Sequence, residues 1–213
     1  MKKLKAKWIT KNPNNRLYQI PVPIIGLTGG IGTGKSTVAT ILRDIGIAII
    51  DADKLVKDIY QQPKAFEFIS EHFSSAIKAG VIHFPTLRKL AFEDSSSKKF
   101  LENFIYDDLP DMFKKAYAVF KNPPFIVYDV PLLFEKKLNL LVDVSVCVYA
   151  PRKIQLERII ARDHSSLELA SKIIDDQIDI EDKKKCADIV IINDQSVLEL
   201  KININQFLEE ICQ

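Results

Sequence analysis

Long hydrophobic runs are missing from this 213-residue chain. No apolar stretch approaches the roughly 18 residues of a membrane-spanning helix, so no membrane partner is expected. Cysteine is scarce: Cys147, Cys186 and Cys212 are an odd number at distant spacings, with no CxxC and no Cys/His cluster. That suggests neither a disulfide framework nor a zinc site and makes the cytoplasm the default compartment. The three histidines, His72, His83 and His164, show no metal-ligand spacing and read as scattered surface residues. Acid is absent from residues 1–23, which hold Lys2, Lys3, Lys5, Lys7, Lys11 and Arg16. The remainder therefore carries 24 basic against 28 acidic side chains. A mildly acidic body argues against a broad nucleic-acid footprint, though not against a small basic pocket. The basic stretch also lacks the apolar middle of a secretory signal. It reads as a loosely ordered arm, with contact to an anionic partner as the alternative. No internal repeat is visible. The chain is 47% hydrophobic, enough to fill the core of one domain with inserted lobes or of two small domains.

Glycine is scarce as well, yet five of the seven fall between Gly26 and Gly34, in the stretch GLTGGIGTGKST. Gly29, four residues, then Gly34, Lys35 and Ser36 match GxxxxGK[ST]. An apolar strand precedes the match and an amphipathic helix follows it, the context this phosphate-binding loop requires. Bare backbone turns successive N–H groups into one hollow for phosphate oxygens, and the helix N-terminus adds partial positive charge. Gly29, Gly30, Ile31, Gly32, Thr33, Gly34, Lys35, Ser36 and Thr37 form the expected nucleotide-binding stretch. Lys35 is placed to reach the β- and γ-phosphates of ATP, and the Ser36 hydroxyl to ligate Mg2+.

Five apolar segments read as strands: 24–28, 47–50, 125–129, 144–149 and 187–192. They are mostly continuous runs, the pattern of strands covered on both faces of a parallel sheet. Val38, Ile41, Leu42 and Ile45 give the first helix an apolar face, and Gly46 is placed to cap its C-terminus. Between the second and third strands the chain is too long for a simple crossover. Helical spacings at Phe66, Ile69 and Phe73, at Leu87, Leu90 and Ala91, and at Leu101, Phe104 and Ile105 indicate an inserted helical lobe. Ser95–Ser97 should mark a turn within it. Residues 152–185 form a second, charged, glycine-free excursion, read as an exposed and mobile helical hairpin. Lys183, Lys184 and Lys185 read as a solvated run. The expected fold is α/β: a P-loop NTPase-type five-stranded parallel sheet flanked by helices, with an inserted helical substrate lobe and a helical lid.

The second strand ends in IIDAD. Ligands bind at the carboxyl ends of parallel strands. Asp51 and Asp53, pointing the same way in extended chain, would emerge there. One would accept the proton of an acceptor hydroxyl while the other orients it or sits near Mg2+; capping of the next helix is the alternative. The chain has no NKxD of guanine-nucleotide switches, and its third strand ends in Asp129, Val130, Pro131 rather than DxxG.

GLTGGIGTGKSTVATILRDIGIAIIDAD resembles the N-terminal signature of dephospho-CoA kinases, LTGGIGSGKS followed by a helix, a glycine and DAD. VYDVPLLFE (Val127–Glu135) is similar to their D-x-PLL-[FY]-E segment. APRKIQLERIIARD (Ala150–Asp163) resembles their Q-x-x-R-x-x-x-RD block, and SKIIDDQ and ADIVIIND match the last two. The resemblance runs from Ile24 to about Asp194. It implies ATP-dependent phosphorylation of the ribose 3′-hydroxyl of dephospho-CoA, with Asp53 as base and Asp51 near the metal. It makes residues 54–121 a CoA-binding lobe between two core segments, 24–53 and 122–151. Residues 152–185 become the lid, 186–213 the rest of the core with a C-terminal helix, and 1–23 the basic arm. Pro131, Leu132, Leu133 and Glu135 would line the acceptor site.

Arg158 and Arg162, four apart on one helical face, would neutralise phosphate charge, or else pair with Glu157 and Asp163 on a solvated face. Arg162 is the favoured of the two. Asn193 would touch the adenine or shape a turn. The enzyme is expected to work as a monomer or weak homo-oligomer. A shikimate-type kinase also places D-x-D after the second strand, but the DVPLLFE block and the long lobe count against it. A non-catalytic nucleotide-binding module is the other rival. Two departures from the family fall in the lobe: His83-Phe84-Pro85 where an Asp-Arg pair is usual, and Leu109-Pro110 where His-Pro is common.

Overall fold

The computed structural model describes residues 2–213. Its strands are β1 (Ile24–Gly29), β2 (Ile49–Asp51), β3 (Ile77–Lys78), β4 (Val81–Ile82), β5 (Ile126–Asp129), β6 (Val144–Tyr149) and β7 (Ile189–Ile192). Its helices are α1 (Lys35–Asp44), α2 (Ala52–Tyr60), α3 (Pro63–His72), α4 (Phe84–Glu93), α5 (Ser95–Ala118), α6 (Arg152–Asp163), α7 (Leu167–Asp175), α8 (Ile180–Cys186) and α9 (Val197–Ile211). Two units result, one from the residues up to Asp51 with Phe120–Gln213, the other Ala52–Val119.

In the first unit five strands form a parallel sheet in the order β2-β5-β1-β6-β7. All six residues of β1 are buried, as expected of a central strand covered on both faces. Ile25, Leu27, Val127, Val146 and Ile191 pack with Val38, Leu42, Leu200, Ile204 and Leu208 from α1 and α9. Gly46 lies in the left-handed region at φ +85°; its N–H bonds Arg43 O at 2.9 Å, and Ile47 N bonds Leu42 O at 3.0 Å. These two bonds close the helix as a Schellman motif. They also spend the amide of Ile47, so β2 starts at Ile49 rather than at residue 47. Ile45, expected on the apolar face of α1, lies beyond its end and is exposed. At the other edge, Ala187 N caps α8 by bonding Lys183 O, and β7 begins only at Ile189.

The amino-terminal arm is not loose. Leu4 bridges Cys212, Lys5 N donates to Ile211 O at 2.8 Å, and Leu4, Leu17 and Ile20 are buried. Its anchor is Asp143. Arg16 donates to this carboxylate from Nε (2.6 Å) and Nη2 (3.0 Å), while Lys11 N and Ile24 N add bonds of 2.9 Å each. Arg16 and Asp143 are both buried, so the two charges replace each other's hydration. Composition records the arm's positive charge; only the partner 127 positions away shows how one of those charges is used.

The second unit holds α2–α5 around Ile69, Phe73, Leu87, Ala91 and Leu101, with the Phe68 and Phe104 rings stacked at 4.1 Å. It is not wholly helical. β3 and β4 form a hairpin through Ala79 and Gly80, both at positive φ, the backbone of a type I′ turn. Ser95–Ser97 are the first turn of α5 rather than a loop: Asp94 accepts from Ser96 N and Ser97 N at 2.7 and 2.8 Å. The break expected there is a helix boundary. His83 is not a stray surface histidine but the N-cap of α4, its Nδ1 lying 2.8 Å from Thr86 Oγ1. Pro110 lies inside α5, beside the buried Leu109.

Candidate active site

β1 delivers the chain into the glycine stretch, and α1 starts at Lys35. No side chain caps α1 and no acid lies in its first turn. The first amides of a helix have no intrahelical acceptor, so this end offers donors and positive dipole to an anion. Two glycines are required by positive φ, and neighbours crowd both. A Cβ on Gly32 (φ +77°) would lie 2.8 Å from Gln155 O, and one on Gly34 (φ +86°) 2.2 Å from Asn193 Nδ2.

The loop is braced from outside by residues far along the chain. Asn193 Nδ2 donates to Thr33 O at 2.7 Å, and Gln177 Oε1 accepts from Ile31 N at 3.0 Å. Arg158 Nη1 reaches Gly32 O (3.2 Å) and Thr33 O (3.4 Å). Ile31 also packs against Ile159, Ala170 and Ile174, the small core between α6 and α7. Thus the hairpin read as exposed and mobile shares an apolar cluster with the phosphate loop.

Lys35 Nζ pairs with a carboxylate oxygen of Asp129 at the end of β5. Asp129 stands opposite Asp51 in the β2–β5 register, so two acids occupy neighbouring strand ends. Asp129 is a site residue not expected from motif alone; its place at the end of the third sheet strand is the sequence signal for it. Asp53 lies in the first turn of α2. Asp51 closes β2 and Ala52 opens the helix, so the two acids do not share an extended segment, as alternation had suggested.

Arg158 and Arg162 separate. Arg158 is at the loop; Arg162 has a side chain 61% exposed and holds Asp163 through two bonds of 2.7 Å. Those hydrogen bonds raise the Arg162 pKa above its ordinary value and hold the Asp163 carboxyl below its own. The residues after β5 divide too. Leu132 is 39% exposed, but Leu133 is completely buried, and a Cβ on Gly26 would lie 2.8 Å from its Cδ1. Leu133 is therefore a core residue beneath β1 and presents no surface to a ligand, contrary to the sequence expectation. Pro131 O accepts from Thr28 Oγ1 (2.9 Å) and Lys183 Nζ (2.9 Å), and Glu135 pairs with Lys183 at 2.8 Å. Lys183 is buried, so the lysine run is not uniformly solvated.

Among the described residues no helix is long and apolar enough to cross a membrane, and no group of three or more His, Cys, Asp or Glu side chains is placed to hold a metal.

Comparison with known proteins accords with this geometry. Residues 23–199 match the family model described as dephospho-CoA kinase. A dephospho-CoA kinase of Fusobacterium nucleatum is 37% identical over 192 residues, 89% of this chain and 99% of that protein. One from Helicobacter pylori is 37% identical over 189 residues, 87% of this chain and 95% of its own length. Among solved structures, the Thermus thermophilus protein TT1252 superposes with a TM-score of 0.81 at 30% identity, covering 89% of this chain and 97% of that one. The dephospho-CoA kinase of Campylobacter jejuni gives 0.63 at 29% identity, covering 88% and 96%. The matched span takes in the phosphate loop, Asp129 and the residues that brace them, and on these grounds the chain belongs to the dephospho-CoA kinase family.

Proposed function

We propose that this protein transfers the γ-phosphoryl group of ATP to the ribose 3′-hydroxyl of 3′-dephospho-CoA, giving coenzyme A and ADP. The observation that carries the reading is the phosphate loop, uncapped at α1 with Lys35 held against Asp129, in a chain of this family. Phosphoryl transfer asks for positioning and charge neutralisation more than for covalent chemistry. The amides where the loop enters α1, from Gly34 to Ser36, receive the phosphates of ATP, while those of Ile31 and Thr33 hold the loop's own shape through Gln177 and Gly30 O. Lys35 moves from Asp129 to the β- and γ-phosphates, exchanging one anionic partner for another. Arg158, already at the loop carbonyls, neutralises phosphate charge; Arg162 joins it on release from Asp163. Asn193 acts on the nucleotide through Thr33, by holding the loop's shape.

Mg2+ needs few protein ligands when phosphates and waters complete its shell. The Ser36 hydroxyl, with Asp51 and Asp129 on adjacent strand ends, fits such a site. When bound, the ion neutralises charge on the β- and γ-oxygens. Asp53 takes the proton from the 3′-hydroxyl as the oxygen attacks. Leu132 faces the acceptor from the turn that Pro131 and Glu135 anchor, and the second unit is the proposed CoA-binding lobe. The cytoplasm, where ATP and magnesium are abundant, is the proposed compartment.

The test is ADP release from purified protein with ATP and magnesium, with dephospho-CoA, shikimate or a nucleoside monophosphate as acceptor. Release should depend strongly on dephospho-CoA. Turnover driven by shikimate, or release indifferent to any acceptor, would overturn the assignment.

A further inference from the structure

Three successive lysines on α8 meet three environments. The Lys185 side chain is 74% exposed beside Asp182, Lys184 lies over the Tyr149 ring at 4.1 Å, and the Lys183 side chain has no exposed surface. The helix turns Ile180 and Lys183, one turn apart, toward the interior. An ammonium withdrawn from water stays charged only where oxygens replace its hydration.

Those oxygens are Pro131 O at 2.9 Å and Glu135 Oε1 at 2.8 Å, the two ends of the turn that follows β5. Both oxygens of Glu135 are buried, and among the described residues neither accepts an aligned hydrogen bond. The ammonium beside them compensates their charge. Pro131 O is shared with Thr28 Oγ1 (2.9 Å), on β1 just before the phosphate loop. One buried cation thus pins both ends of a turn whose middle exposes Leu132 and buries Leu133.

We propose that Lys183 is a positioning residue for the phosphoryl acceptor: it fixes the Pro131–Glu135 turn, and through the exposed Leu132 it sets how tightly and in what orientation the acceptor is held. The inference rests on the reading of that turn as part of the acceptor site. The chain preceding α8 already braces the phosphate loop through Arg158 and Gln177. Lys183 extends that bracing from the donor side to the acceptor side.

The test is steady-state kinetics on Lys183→Met, Glu135→Gln, the double variant and Leu132→Ala, with ADP binding as the measure of folding. Lys183→Met should raise KM for dephospho-CoA by about tenfold or more while KM for ATP stays within about twofold, a split that general loosening of the fold does not produce. The double variant should be no worse than Lys183→Met alone, because both changes remove one interaction. Unchanged constants in Lys183→Met, or a parallel rise in both KM values, overturn the proposal. If Lys183→Met no longer binds ADP, Glu135→Gln carries the test: a rise confined to KM for dephospho-CoA supports it, and none refutes it. Leu132→Ala separates the two layers. An unchanged KM for dephospho-CoA there removes the turn from the acceptor site and the Lys183 proposal with it. A raised KM in Leu132→Ala beside a normal Lys183→Met refutes the role of Lys183 alone.

Discussion

Replacing Asp143 by Asn tests whether the amino-terminal arm is a structural part of the fold. The carboxylate accepts four bonds, two from Arg16 and one each from Lys11 N and Ile24 N. Asn supplies one oxygen in place of two. Kept toward Lys11, that oxygen leaves an amide –NH2 facing the Arg16 Nε–H and the Ile24 N–H, which are donors themselves. The Arg16 charge loses its counter-ion while still buried. Removing one partner of a buried ion pair costs roughly 3–5 kcal/mol. Arg16 keeps Ile20 O and Lys11 O as acceptors, which favours the lower end, about 3 kcal/mol. For a chain of this size that corresponds to a fall in Tm of roughly 6–12 °C. Thermal and urea unfolding followed by circular dichroism measures it. Turnover at 25 °C should be preserved, because the pair sits at the start of β1 and the phosphate loop at its end. Adding Arg16→Met should recover part of the loss, since the buried charge is then gone. A loss below about 1 kcal/mol, the range of an exposed pair, would refute the reasoning.

Lys35→Ala removes the cation proposed to meet the β- and γ-phosphates; kcat/KM for ATP should fall by about 10²-fold or more, and a wild-type rate would refute the loop assignment. Asp53→Asn should keep ATP binding, measured by titration, and lower kcat by about 10²-fold or more, the range for a lost general base; an unchanged kcat moves that role elsewhere. Burial pushes the Cys147 thiol up to about 12 and raises that of Cys212, whereas Cys186 is exposed. With its pKa raised and its side chain buried, Cys147 stays a protonated, inaccessible thiol at pH 8. A disulfide reagent at pH 8 should therefore modify one thiol quickly and the others only on unfolding; fast reaction of two or more would contradict the burial.

The sheet and the phosphate loop were legible because both are local signals. A continuous apolar run reports burial on two faces, and a string of glycines before Lys-Ser reports bare backbone ahead of a helix. The edges of elements were less legible. The start of β2 depends on the Ile47 amide, which the helix cap takes, and the start of β7 depends on Ala187 closing α8. Neighbouring identical residues were not separable at all. Nothing in PLLFE tells that Leu132 faces outward and Leu133 inward, and nothing in KKK tells that the first lysine alone is withdrawn from water.

By itself the sequence determined the family, the parallel sheet and the loop that grips phosphate, since each rests on residue type and spacing over a few turns of chain. Tertiary structure decided which charges serve that framework: Arg158 rather than Arg162 against the loop, Asp129 opposite Lys35, Asp143 holding the arm through Arg16, Lys183 under the turn after β5. The physical reason is that a buried charge is stabilised by oxygens and cations within about 3 Å in space, and the fold brings those partners from positions that no local pattern connects.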